Sequence, residues 1–124
     1  MTSSKDGLST ALGKALRTVR INRDLSIMEL AAHVSGRTYI SALERGAKQP
    51  TLGKIDEIAR QLGLHPLSLL LLTYQICEQI DPADLVAQIE EDLRSMQLWD
   101  LGGCMTEEAA DNVDKVIDEA KADK

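Results

Sequence analysis

The stretch Leu25–Gly46, LSIMELAAHVSGRTYISALERG, constrains the fold of this chain more than any other. Ser26 followed three residues later by Glu29 is a capping box, in which hydroxyl and carboxylate each accept from an otherwise orphaned helix-start amide. Leu30, Ala31 and Val34 then recur at helical spacing. A tight Ser35-Gly36 turn follows. Beyond it Ile40 and Leu43 share a helix with Arg37, Thr38, Ser41, Ala42 and Arg45. Gly46 is placed as a C-terminal glycine stop. The pattern predicts helices over about Ile27–Val34 and Arg37–Arg45. Two helices of that length joined by a short glycine-containing turn make a helix-turn-helix.

The remainder of the chain reads as further helices. A first helix is expected from about Leu8 to Asn22, burying Leu8, Leu12, Leu16 or Ala15, Val19 and Ile21. Thr51 caps a fourth helix, Leu52–Leu62, with Ile55, Ile58, Ala59 and Leu62 inward and Gly63 as its stop. His65 sits near the cap of a fifth helix with Pro66 at its first position, and the apolar pattern continues through Ile80. Asp81-Pro82-Ala83-Asp84 opens a sixth, Pro82–Leu98, with Leu85, Val86, Ile89, Leu93 and Met96 along one face. Thr106 caps a last helix over about 107–122, striped by Val113 and Val116 or Ile117. Hydrophobic residues make up 44% of the chain but aromatics only 2%, with no Phe. A core of Leu, Ile, Val, Ala and Met favours helices packed on helices over sheets.

Charge divides the chain in two. Residues 1–72 carry 10 Lys/Arg against 6 Asp/Glu, a balance of +4; residues 73–124 carry 4 against 14, a balance of −10. The overall −6 therefore conceals a basic head suited to a polyanion and an acidic tail that phosphates would repel. The boundary is expected at 72/73: a helical head over 1–72 and an acidic helical extension over 73–124 that dimerises or binds a partner.

Several function classes find no support. The longest apolar run, Leu69 to Leu72, is too short to span a membrane. The N-terminus, MTSSKDGLST, lacks a secretory pattern, so a reducing cytoplasm is expected. Cys77 and Cys104 form no disulfide framework and no metal-ligand spacing, and neither metal nor cofactor is expected. They read as inert thiols rather than a redox sensor. His33 reads as a surface residue with a phosphate contact as the alternative, and His65 as structural. No catalytic constellation is evident, so an enzyme is not expected.

LSIMELA, YISALERG and the following KQPT resemble the phage-repressor, or Cro-like (XRE), helix-turn-helix family over roughly Leu8 to Leu72. Two departures stand out: the turn at Val34-Ser35-Gly36-Arg37 is one residue shorter than usual, and Ile27 replaces a common Gln. The resemblance implies an all-α, five-helix Cro/repressor-like domain, here carrying a two-helix C-terminal extension. It implies that the second motif helix enters the DNA major groove, with its N-terminal residues and those one turn later meeting base edges. Those are Arg37, Thr38, Ser41 and Ala42. Arg37 has the chemistry for guanine O6 and N7, and Thr38 for a base, a phosphate or a thymine methyl. The loop after Gly46 resembles the family's backbone-contacting segment, making Arg45, Lys48, Gln49, Thr51 and Lys54 candidate phosphate contacts. Tyr39 and Arg17 join them, each with a plainer alternative: core packing for Tyr39, a solvated surface for Arg17. The resemblance further implies an ion pair from Arg20 to Glu44.

The expected function is a sequence-specific regulator of transcription, a repressor or activator, that binds double-stranded DNA at a palindromic operator as a homodimer. Leu85, Ile89, Leu93, Met96, Val113, Val116 and Ile117 are the candidate dimerisation residues. The alternative is an antitoxin-like or regulatory module whose acidic helices bind another protein.

Overall fold

A computed structural model describes residues 5–34, 36–99, 114, 115, 117 and 118, with Lys5 and Asp6 described by backbone alone. Every element named among them is a helix: α1 (Lys5–Asn22), α2 (Ile27–Ala31), α3 (Arg37–Glu44), α4 (Leu52–Gln61), α5 (Pro66–Glu78) and α6 (Pro82–Ser95). Two compact units divide between Pro82 and Ala83. The boundary expected at 72/73 is thus corrected: it falls inside α5, whose Leu69 and Thr73 are both buried in the first unit.

In that unit α1 packs on α3 and α5, α2 on α3, and α4 on α5. Their inward faces form one core, including Leu12, Leu16, Leu30, Ile40, Leu43, Ile58, Leu62 and Leu69. Ile21, expected in the α1 stripe, is 52% exposed. At about 100° per residue it lies about 200° around the helix from Val19, off the buried face. Thr73 is a core residue despite its hydroxyl, which donates to the Leu69 carbonyl (2.8 Å).

Backbone bonds finish four of these helices in the same way. After α1, α3, α4 and α6 a left-handed residue (Asp24, Gly46, Gly63 and Gln97) is followed by one whose N–H reaches back five residues. For α3 these bonds run from Gly46 N–H to Leu43 (3.0 Å) and from Ala47 N–H to Ala42 (2.9 Å). This is the Schellman arrangement, which satisfies carbonyls that a helix end leaves orphaned. It also ends α6 at Ser95, short of the Leu98 expected from the apolar pattern; Gln97, at φ 60°, has already left the helix. α5 stops before Ile80 because Gln79 turns left-handed, at φ 52°.

Glycine permits one close approach. A Cβ on buried Gly13 would stand 2.6 Å from both the Leu43 and Glu44 carbonyl oxygens, so α1 crosses the end of α3 nearly backbone to backbone.

In the second unit α6 buries none of its residues fully. Leu85 and Leu93 are half-buried, whereas Val86, Ile89 and Met96 are exposed. The helix expected over 107–122 lies mostly outside the described residues. Its Asp114, Lys115, Ile117 and Asp118 are helical and exposed, Ile117 by 48%. Val113 and Val116 lie outside the described residues.

Candidate nucleic-acid interface

The helix-turn-helix begins as the capping box requires. Ser26 Oγ accepts from the Glu29 N–H (3.0 Å), and Glu29 Oε1 accepts from the Ser26 N–H (2.8 Å). The Ser26 N–H, and after it the Ser26 hydroxyl, favour the charged carboxylate and hold the Glu29 pKa below its ordinary value. α2 ends at Ala31, earlier than the Val34 expected, and α3 starts at Arg37.

α3 divides cleanly by burial. Ile40 and Leu43 are in the core, while Arg37 and Thr38, on its first turn, are exposed. Ser41 is half-buried, and its hydroxyl accepts from Arg45 Nη1 (2.8 Å). Ala42 is the correction on this face: only 5% exposed, its short methyl is enclosed and cannot reach a base edge. Gly36 is the N-cap and provides no side-chain acceptor.

The far end of α3 is anchored to α1. Arg20 Nε donates to Glu44 Oε2 (2.6 Å) and Arg20 Nη2 to Oε1 (3.0 Å), a bidentate pair. A third bond runs from Arg20 Nη1 to the Leu25 carbonyl (2.8 Å), fastening the turn before α2; no sequence pattern marks that acceptor. The side chains are 9% and 6% exposed. The bond with Glu44 raises the Arg20 pKa, and burial opposes it only in part.

Around α3 the other candidates fall into two groups. Arg17, Arg45, Lys48, Gln49 and Thr51 are exposed, within reach of solvent or a ligand. Tyr39 and Lys54 are half-buried. The Tyr39 ring packs against the core, and the Lys48 ammonium lies over it at 5.8 Å from the centroid, a cation–π contact. Thr51 caps α4, its hydroxyl accepting from the Lys54 N–H (3.2 Å). The Lys54 ammonium is 3.3 Å from Glu57, a solvent-screened pair that contributes little to stability. No group of three His, Cys, Asp or Glu suited to a metal occurs among the described residues.

The chain resembles known proteins over this unit and, in one case, beyond it. Residues 16–69 match a family model described as helix-turn-helix. The control protein C.BamHI of Bacillus amyloliquefaciens is 36% identical over 70 residues, 54% of this chain and 86% of that protein. Two crystal structures of the clp gene regulator ClgR from Corynebacterium glutamicum are also similar, each with a TM-score of 0.55. One is 30% identical, covering 56% of this chain and 91% of that one; the other is 29% identical, covering 76% and 94%. With an exposed first turn on α3, a braced far end and cationic side chains on the loop beyond, the chain belongs to the XRE-type helix-turn-helix family and is a DNA-binding regulator of transcription.

Proposed function

We propose that the chain represses transcription as a homodimer on a palindromic operator, each copy placing α3 in the major groove of one half-site. Arg37 reads a guanine through O6 and N7. Thr38 and Ser41 contact bases on the same face. Arg45, Lys48, Gln49, the capped start of α4 at Thr51 and Lys54, Arg17 and the Tyr39 hydroxyl meet phosphates, which position the protein without carrying sequence information. The compartment is the one that holds the DNA, a reducing cytoplasm. The observation that carries this reading is the division of α3: Arg37 and Thr38 face outward while Ile40, Ala42 and Leu43 are packed inward.

The test is selection of bound sites from random double-stranded DNA. The expected product is a palindrome whose half-sites are about 34 Å apart, one helical turn. Failure to enrich any sequence overturns sequence-specific binding, and a single unrepeated half-site overturns the two-fold arrangement. The balance of −10 over residues 73–124 supports a second reading, a regulatory protein that binds another through its acidic tail. A stable partner lost on deleting residues 83–124 is its signature.

A further inference from the structure

α6 carries a second pattern within its apolar stripe. Val86, Ile89 and Leu93, with Met96 as the first residue past the helix end, are spaced three, four and three residues apart, the a/d spacing of a two-stranded coiled coil. Val86, Ile89 and Met96 are 46%, 47% and 53% exposed and Leu93 is half-buried, so most of the seam is open. With Val86 and Leu93 at a, and Ile89 and Met96 at d, the flanking positions follow. Leu85 and Asp92 fall at g and Glu90 at e, while Gln97, left-handed, lies beyond the helix. Residues at e and g meet across such a pair and set partner and orientation.

Charge distinguishes the two ways of pairing α6 with itself. In an antiparallel pair a residues meet d, e meets e and g meets g. Glu90 would then face Glu90, and Asp92 would face Asp92, along both edges of the seam. Arg94 is the only cation on α6, and it already stands 2.6 Å from Glu90 of its own helix. In a parallel pair each g residue meets the following e residue. Leu85 then lies against Glu90, and Asp92 meets no e residue, because the other helix has already ended at Ser95. No like charges meet, and Leu85 adds apolar surface to the seam.

We infer that α6 pairs in parallel with α6 of a second copy through Val86, Ile89, Leu93 and Met96. The inference rests on the homodimer proposed above and adds its orientation and contact residues. Both DNA-binding units join the same end of a parallel pair, because α6 follows the first unit in each chain. One operator can then be engaged by both. A seam this short does not hold two chains together alone; it fixes their direction within a wider contact.

The test uses the full chain with Cys77→Ser and Cys104→Ser, into which single cysteines are placed. In a parallel pair identical positions at d face one another within disulfide reach. Ile89→Cys and Met96→Cys are therefore expected to give disulfide-linked dimers on mild oxidation, while Glu91→Cys, on the outer face, gives none. Linkage that appears only when Val86→Cys and Met96→Cys chains are mixed means antiparallel pairing and overturns the inference. Sedimentation of the cysteine-free chain separates the remaining cases. A dimer that links at neither 89 nor 96 overturns α6 pairing and leaves the homodimer standing. A monomer removes the homodimer itself, and the inference with it.

Discussion

Arg20 and Glu44, on different helices, are joined by two parallel hydrogen bonds of 2.6 and 3.0 Å. The pair is almost enclosed, so each charge depends on the other. Arg20→Met leaves the Glu44 carboxylate without its cation, and the expected loss is about 3–5 kcal/mol of unfolding free energy. Urea denaturation of Arg20→Met, Glu44→Leu and the double variant measures the coupling. The double variant is expected to lose far less than the sum of the two singles. A coupling near zero would mean the bonds contribute nothing to stability.

Gly13→Ala sets two effects against each other. Alanine favours a helix interior by about 1 kcal/mol over glycine. Here the new Cβ would meet two backbone carbonyl oxygens at 2.6 Å, and neither can rotate away. The clash is expected to win, lowering the melting temperature and weakening DNA binding as α3 shifts. A more stable Gly13→Ala chain would show that α1 and α3 separate easily.

Arg37→Ala tests the reading face. The expected cost at the cognate site is about 1–3 kcal/mol, with relaxed preference at one base position. Binding-site selection with the variant measures both. An unchanged preference at every position would take Arg37 out of the base-reading set.

Lys48→Ala should behave differently, because a phosphate contact carries no sequence information. Affinity is expected to fall alike for all sequences, with the slope of log K against log salt reduced by about one unit. Titrations of specific and unrelated DNA at several salt concentrations report this. Loss confined to the cognate site would count against a phosphate role.

The capping box gives stability a dependence on acidity. Glu29 has its pKa lowered in the fold, so its contribution is fully present above the ordinary glutamate value of 4.5 and is lost as pH falls through the lower, folded value. The difference in melting temperature between the natural chain and Glu29→Ala should be constant near neutrality and shrink below that range. A difference independent of pH would place the effect in helix propensity rather than in the charged cap.

Much of this fold is legible in the sequence. The Ser26–Glu29 spacing located the start of α2, and Gly46 and Gly63 located two helix ends, because each device works through nearest neighbours along the chain. The Arg20–Glu44 pair was legible only through resemblance to a family, since nothing local links residues so far apart. Other features are not legible in the sequence. Asp24, Gln79 and Gln97 take the left-handed conformation that glycine usually signals, so the apolar pattern runs on past the ends of α5 and α6. Ala42 carries one methyl, and a methyl gives no sign of the face it occupies. Ile21 is apolar but exposed, and the hydrophobic pattern alone counted it as core.

Neither end of α3 relies on a side chain of its own for capping: Gly36 opens it, and backbone bonds from Gly46 and Ala47 close it. The positions proposed to touch DNA are therefore relieved of holding the helix together. Arg37, Thr38 and Arg45 can be exchanged for other residues while the scaffold persists. In a lineage of such proteins, preference for an operator can drift without each step first passing through an unfolded ancestor, and a designer can retarget the helix by the same route.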